Sequence, residues 1–464
     1  MTLIKSISGI RGTIGGSVDD NLTPIDAVKF AAAYGTWLKQ THKGIKPKVV
    51  IGRDARMSGA MISQLVNATL NGCGIDVVDL GLSTTPTVEV AVPDAQAQGG
   101  IILTASHNPA EWNALKLLNN KGEFISAKEG EYILALADKQ EFDFVAYTEL
   151  GTTRTDDTYL QKHIDAILAL PLVDVEAIRK ANFKVAFDAV NSTGGIFIPK
   201  LLNALGVSQV FPLYDEPTGQ FPHNPEPLPE HLNDLVSLVK TEKADVGFVV
   251  DPDVDRLAMV SENGEMFGEE YTLVTIADYV LSHQPGNTVS NLSSTRALAD
   301  VTRQRKGVYY AAAVGEVNVV ESMKAHKAVI GGEGNGGIIY PELHYGRDAL
   351  VGIALFLSHL AKSGKSCSEL RASYPTYFMS KNKIQLTPQI DVEGLLAEMK
   401  KTYAKERIND IDGVKIDFQE GWVHLRKSNT EPIIRVYSEG ETPELAEALV
   451  HKVMTDINKI CLVN

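Results

Sequence analysis

Three carboxylates at alternate positions, Asp251, Asp253 and Asp255, stand between the apolar runs Gly247–Val250 and Leu257–Val260, and Arg256 follows the last of them. On an extended loop every second side chain points the same way, so this spacing gathers the hard oxygens that a divalent cation such as Mg²⁺ requires. A calcium EF-hand competes, since Glu262 stands at its twelfth position. It fails because the sixth position is Arg256 rather than Gly and because strands, not helices, flank the loop. A phosphatase using the first Asp of Asp-x-Asp as nucleophile also fits the spacing. The third carboxylate and Arg256 favour a metal loop in which no carboxylate has to attack, the plain alternative being a solvated acidic turn.

A hydroxyl is presented in a comparable way. Thr104-Ala105-Ser106-His107-Asn108-Pro109 follows the strand Ile101–Leu103, which places Ser106 on a fixed turn at a strand end. Adjacent Ser and His seldom act as nucleophile and base, because useful partners come from different loops, and a hydroxyl-capped turn is the bland reading. Arg426-Lys427-Ser428-Asn429-Thr430-Glu431-Pro432 with Arg435 combines turn amides, hydroxyls and guanidinium groups between two strands. That set suits a phosphate, and without the Gly-Lys-Ser/Thr of a nucleotide loop it suits a phosphomonoester; a polar hairpin is the alternative. In Gly331-Gly332-Glu333-Gly334-Asn335-Gly336-Gly337 the glycines let backbone approach a ligand while Glu333 and Asn335 meet hydroxyls, although a glycine turn without a ligand reads the same. Of two arginine-bearing loops, Ser8–Thr13 offers Arg11 for chemistry, and Gly52–Gly59 offers Arg53, Asp54 and Arg56 as support.

The elements that must position these loops follow an α/β pattern: a short apolar run, a polar or glycine-rich loop, then a segment of helical period. Such runs begin at Lys48, Gly100, Lys184, Val246, Thr288 and Ala328, and functional loops belong at their carboxyl ends. The units opening at Lys48, Lys184 and Thr288 are alike in outline and hint at a repeated domain. Boundary candidates are Asp138–Asp156, Asp251–Gly268 and Gly364–Asn382. Beyond Lys383 a helix over Val392–Ala404 and strands at Val414–Phe418, Gly421–Leu425 and Ile433–Ser438 predict a small α+β module.

The whole chain sets limits. Its 464 residues exceed a single core, and 44% hydrophobic with 22% charged residues predicts a fold throughout. A net charge of −14 argues against nucleic acid or an anionic membrane as main partner, leaving an anion to be bound by arginines concentrated locally. Neither a signal peptide nor a membrane span is expected, which points to the cytosol. Cys73, Cys367 and Cys461 lack paired metal spacings and read as reduced, structural thiols.

Taken in order, the four motifs resemble the α-D-phosphohexomutase family, which includes phosphoglucomutases, phosphomannomutases and phosphoglucosamine mutases, over nearly the whole chain. The resemblance implies an α/β protein: three similar mixed-sheet α/β domains (1–150, 151–256 and 257–372) plus a smaller C-terminal α+β domain (373–464) around one central cleft. It implies a phosphoserine at Ser106; one Mg²⁺ ligated by Asp251, Asp253, Asp255 and the Ser106 phosphate; and Arg11 and Lys116 assisting, with His107 or Lys116 as general base. Glu333 and Asn335 would read the sugar. Arg256, Arg426, Ser428, Asn429, Thr430 and Arg435 would complete substrate binding. The substrate would be a small sugar phosphate, activated by a sugar 1,6-bisphosphate, with no nucleic acid or membrane partner and a monomer or homodimer as the working form. Gly334-Asn335-Gly336-Gly337, Lys427 and Asn429 depart from common bacterial members and resemble archaeal-like variants, which inclines the expectation slightly toward glucosamine. The rivals are phosphoglucomutase or phosphomannomutase activity, the Asp251 phosphatase and a silent sugar-phosphate sensor.

Overall fold

Runs such as Lys-Val-Val-Ile at 48–51 and Gly-Ile-Ile-Leu at 100–103 carry apolar side chains on both faces, so they can only be central strands covered by helices on each side. The computed structural model describes residues 2–6, 9–386, 391–427 and 433–463, with 461–463 described by backbone alone. Two compact units form, Met1–Thr272 with Asn335–Arg371, and Leu273–Gly334 with Ala372–Asn464.

The first unit opens with seven strands: β1 (Ile4–Ser6), β2 (Gly9–Thr13), β3 (Lys48–Arg53), β4 (Asp76–Leu82), β5 (Gly99–Leu103), β6 (Trp112–Leu118) and β7 (Thr153–Thr155). They lie in the order β1-β2-β6-β5-β3-β4-β7. β3 runs parallel to β4 and β5, and β6 runs antiparallel to β5 and β2. Helices α1 (Pro24–Thr41), α2 (Gly59–Gly72), α3 (Thr85–Asp94) and α4 (Ala127–Lys139) cover the sheet. α1 starts on a Thr23/Asp26 capping box with Pro24 in its first turn, and α4 on a Ser126/Glu129 box. Alternation along β3 divides the core: Val49 and Ile51 pack with Phe30, Tyr34 and Leu38, while Val50 faces Val88 and Val92.

A second sheet in this unit has the order β11-β10-β8-β9, from β8 (Lys184–Asp188), β9 (Gln209–Leu213), β10 (Val246–Val250) and β11 (Leu257–Ser261). Helices α5 (Tyr159–Leu168), α6 (Val175–Ala181), α7 (Gly194–Ala204) and α8 (Asn233–Glu242) precede or link its strands. The second unit, entered through α9 (Glu269–His283), holds β12 (Asn287–Asn291), α10 (Ala297–Gln304), β13 (Tyr309–Ala312), α11 (Glu316–His326) and β14 (Ala328–Glu333). β12 is parallel to both β13 and β14. The chain returns to the first unit for β15 (Gly337–Ile339) and α12 (Ala349–Ser363), and leaves it through α13 (Cys367–Ala372).

The second unit finishes as an antiparallel sheet of order β16-β20-β19-β18-β17, built from β16 (Phe378–Gln385), β17 (Arg407–Asn409), β18 (Val414–Asp417), β19 (Gly421–Lys427) and β20 (Ile433–Gly440). It packs on α14 (Val392–Thr402) and α15 (Pro443–Val463) around Leu395, Met399, Val423, Leu425, Ile434, Val436 and Val453. This is the α+β module expected at the C-terminus.

The repeat hinted at by the sequence is present in the topology. In β5-β3-β4, β10-β8-β9 and β14-β12-β13 the first strand lies between the second and the third, all parallel. Two stretches expected as boundary candidates contain strands. In Asp138–Asp156, β7 pairs with β4; its Thr-Arg-Thr sequence is wholly exposed and offers no apolar alternation to read. In Asp251–Gly268, β11 pairs with β10 along its whole length, so the polar residues there turn the chain within one sheet. Cys73 and Cys367 are buried free thiols, and the Cys461 side chain lies outside the described residues. Among the described residues no helix is long and apolar enough to cross a membrane.

Candidate active site

Ser106 sits in the loop from β5 to β6 with φ at +48°, a left-handed backbone that a non-glycine residue holds only when its surroundings enforce it. The enforcement comes from Asp54 and Arg56, as expected of a support. Arg56, 1% exposed, is bound through Nε to Asp54 Oδ2 at 3.0 Å. Its terminal nitrogens donate to the carbonyls of Ser106, Asn108, Pro109 and Trp112 at 2.5, 2.6, 2.5 and 2.9 Å. Thr104 Oγ1 donates to Asp54 Oδ2 at 2.6 Å and accepts from the Ser106 amide at 2.9 Å. Arg53 contributes a 3.2 Å bond to the Asp54 carbonyl.

The shortest contact of the Ser106 hydroxyl is to Asp251. Its Oγ donates to Asp251 Oδ2 at 2.6 Å, whereas His107 Nδ1 is 3.4 Å away. The acidic loop at the tip of β10 and β11 brings the three aspartates together, all fully buried, with a ligand oxygen of each within 4.8 Å of the others. Val254, at φ +61°, makes the turn, and Asp251 Oδ1 accepts from the amides of Asp255 and Arg256 at 3.1 Å each. Asp253 Oδ2 receives Lys116 Nζ at 2.7 Å and Thr85 Oγ1 at 2.5 Å. Asp255 Oδ2 receives Arg347 Nη2 at 2.7 Å and Lys116 Nζ at 3.5 Å.

Among the described residues Asp253 Oδ1 and Asp255 Oδ1 find no hydrogen-bond partner, and both are buried. Buried polar oxygens are nearly always satisfied, and two bare carboxylate oxygens beside a third carboxylate fit a hard divalent cation. Burial, then the charges of Asp255 and Asp253, push Asp251 well above the ordinary carboxylate range. Burial also lifts Asp255, but Arg347, Lys116 and Arg256 outweigh it and hold Asp255 below that range. For Lys116 burial pulls down and the two aspartates pull up more strongly, so its ammonium is held charged. Burial, followed by Arg256, pushes His107 well below its ordinary value, which keeps the imidazole neutral. Arg11 approaches Asn108 Oδ1 at 3.5 Å, and Arg256 pairs with Glu226 at 3.6 Å.

Arg11, His107, Lys116, the three aspartates and Arg256 thus gather about Ser106 in the first unit. Asn335 also belongs there, where its Oδ1 accepts from the Gly337 amide at 3.2 Å and shapes the turn. The second unit holds Glu333, Arg426 and Arg435. Glu333 Oε1 accepts from Asn291 Nδ2 at 2.9 Å and from the Gly315 amide at 3.3 Å. Arg426 Nε donates to Asp412 Oδ2 at 2.8 Å, and Arg435 Nη1 to the Tyr437 hydroxyl at 3.1 Å. Ser428, Asn429 and Thr430 lie outside the described residues. Sequence reasoning missed Arg347, Thr85 and Asp412. Gly346-Arg347-Asp348 marks only a helix start, and its contact with Asp255 is made across 92 positions of chain.

The sequence matches the "Phosphoglucomutase/phosphomannomutase" family in all four of its parts: alpha/beta/alpha domain I over residues 3–144, domain II over 161–264, domain III over 268–377 and the C-terminal domain over 388–455. A "Phosphoglucomutase/phosphomannomutase" from Thermococcus kodakarensis is 35% identical over 441 residues, covering 94% of this chain and 95% of that protein. A "Phosphoglucosamine/phosphogalactosamine mutase" from Sulfurisphaera tokodaii is 31% identical, with 96% of each covered. The crystal structure of a phosphoglucomutase/phosphomannomutase family protein from Burkholderia thailandensis superposes with a TM-score of 0.84 at 24% identity, over 99% of this chain and 97% of that one. With four family domains matched in order and relatives alike from end to end, this chain belongs to the phosphoglucomutase/phosphomannomutase family of phosphohexomutases, which are isomerases.

Proposed function

We propose that the chain is a Mg²⁺-dependent phosphohexomutase. It interconverts the 6-phosphate and 1-phosphate of a hexose or hexosamine through phosphorylated Ser106 and a sugar 1,6-bisphosphate, with a slight preference for glucosamine. The observation that carries this reading is the Ser106 hydroxyl held 2.6 Å from Asp251 beside two bare carboxylate oxygens and the charged groups of Lys116 and Arg347. A Mg²⁺ held by Asp251, Asp253, Asp255 and a phosphate oxygen on Ser106 would supply charge neutralisation for the transferring group.

Ser106 phosphate gives its phosphoryl group to the free hydroxyl of the sugar phosphate. The bond from phosphorus to Ser106 Oγ breaks, a bond to the sugar oxygen forms, and the hydroxyl proton leaves to a base. His107, held neutral, is the better acceptor; Lys116, held charged by its two aspartates, serves as a cation beside the transferring oxygens. The bisphosphate turns over and its other phosphate returns to Ser106, so a trace of sugar 1,6-bisphosphate activates the enzyme. Arg11 assists at the phosphoryl group. Glu333 and Asn335 read sugar hydroxyls, while Arg256, Arg426, Ser428, Asn429, Thr430 and Arg435 bind the substrate, chiefly its unreactive phosphate. Both orientations of the intermediate must be accepted, which keeps discrimination among sugars modest.

The alternative is an Asp251 phosphatase, and against it stand the third carboxylate of the loop and the Ser106 hydroxyl seated on Asp251 Oδ2. Turnover measured with Mg²⁺ and a trace of sugar 1,6-bisphosphate on glucosamine 6-phosphate, glucose 1-phosphate and mannose 1-phosphate decides between the two. Isomer exchange without phosphate release is expected, lost in Ser106→Ala; phosphate release that persists in Ser106→Ala would establish the phosphatase. The order of kcat/KM names the sugar, and glucosamine 6-phosphate is expected first.

A further inference from the structure

Glu333 and Arg426 are 93 positions apart in sequence, yet in the second unit one short stretch of backbone touches both Glu333 and the carboxylate that holds Arg426. The Val314 amide donates to Asp412 Oδ2 at 2.9 Å, the same oxygen that receives Arg426 Nε at 2.8 Å. The next amide, Gly315, donates to Glu333 Oε1 at 3.3 Å. Gly315 has φ at +116°, a conformation L side chains rarely adopt, so aiming two successive amides at two carboxylates depends on glycine there.

A second route joins the same ends. His424 Nε2 lies 2.7 Å from the Asp412 carbonyl, which can only accept, so this nitrogen carries the proton and Nδ1 accepts from the Ser293 hydroxyl at 2.9 Å. The Ser293 amide donates to Asn291 Oδ1 at 3.0 Å, and Asn291 Nδ2 donates to Glu333 Oε1 at 2.9 Å. The hydrogen bonds therefore close a ring: Arg426 to Asp412, through Val314 and Gly315 to Glu333, and back through Asn291, Ser293 and His424 to the Asp412 carbonyl.

We propose that Asp412 is a positioning residue that fixes the Arg426 guanidinium at a set separation from Glu333, so that sugar hydroxyls and the unreactive phosphate are read together as one pattern. This rests on the function proposed above. A ligand with its phosphate and its hydroxyl pair at the wrong spacing cannot satisfy both ends, whereas a hexose phosphate meets them in either orientation of the bisphosphate. Asp412 contacts no substrate and acts only by holding Arg426 and the Val314–Gly315 stretch.

The test is steady-state kinetics on four proteins: wild type, Asp412→Ala, Arg426→Ala and the double variant, with thermal melting of each. Wild-type turnover of a sugar phosphate checks the underlying reading; its absence defeats that reading, a result separable from anything the variants do. With turnover present, Asp412→Ala should raise KM roughly tenfold with kcat changed by less than about threefold. The double variant should have the KM of Arg426→Ala alone, because once the guanidinium is gone nothing is left for Asp412 to hold. Asp412→Asn, which keeps an acceptor for Val314, should recover part of the loss. A KM for Asp412→Ala within twofold of wild type, multiplicative effects in the double variant, or a loss of activity that follows melting temperature alone would each overturn the proposal.

Discussion

The residues that could be named in advance are those whose neighbours in sequence are also their neighbours in chemistry. Asp251, Asp253 and Asp255 mark a candidate cation loop, with Arg256 beside them, and the fold buries all three with their oxygens converging. Ser106 announces itself as a hydroxyl on a turn. The strain that presents it is invisible in sequence, because it is imposed from 50 positions away by Arg56. Arg347 and Asp412 were not legible for the same reason: each acts across 92 or 14 residues on a partner that only folding supplies. Arg56 gives the prediction at this scale. Removing one partner of a buried ion pair costs about 3–5 kcal/mol. Arg56→Met also takes a donor from four carbonyls, so the melting transition of the first unit should fall by several degrees and turnover should fall further, as the Ser106 turn relaxes. Differential scanning fluorimetry with a turnover assay reads both, and unchanged turnover in a folded variant would remove Arg56 from the account of the loop.

At the scale of elements, the strand units opening at Lys48, Lys184 and Thr288 were readable because a buried parallel strand is a continuous apolar run. The exposed edge strand β7 was not, since nothing apolar marks it. A further group of elements is joined by charge inside the first unit. Asp348 caps α12, its Oδ1 accepting from the Leu350 and Val351 amides, and its Oδ2 lies 3.0 Å from His163 Nε2 and 3.3 Å from His344 Nε2. His344 Nδ1 faces Glu89 of α3 at 3.3 Å, and His163 Nδ1 meets Thr87 of the same helix at 2.9 Å. Burial alone would lower His344, but its bonds to Asp348 and Glu89 and the Glu89 charge outweigh it and push it up to about 10. The unfolded chain holds that proton only to the ordinary histidine value of about 6.5. The stabilisation is therefore complete below about pH 6.5 and is lost as pH rises through about 10. Melting of wild type and His344→Gln from pH 6 to 10 should show a gap that is widest at the acid end and closes toward pH 10. A gap independent of pH would mean that the imidazole is neutral and the clamp is packing alone.

For the whole molecule, the sequence correctly predicted α/β class and a distinct C-terminal module, since period, strand length and turn chemistry change beyond Lys383. Several cores form in place of one. The cluster around Val423 and Val453 shares no residue with that around Phe30 and Ile51, nor with that around Leu235 and Val249. A chain so built should not melt all-or-none. Calorimetry should return a van't Hoff enthalpy well below the calorimetric one, or resolved transitions; equal enthalpies would mean that the cores unfold as one.

The repeated strand order relates three loops of different chemistry. Ser106 follows β5, Asp251 follows β10 and Glu333 ends β14, which are the corresponding third strands of the three repeats. On the function proposed above, a loop at the same place in each repeat would serve once as phosphoryl carrier, once as cation holder and once as sugar reader. Each loop can carry its own side chains without altering the others, because the same parallel strand order lies beneath all three.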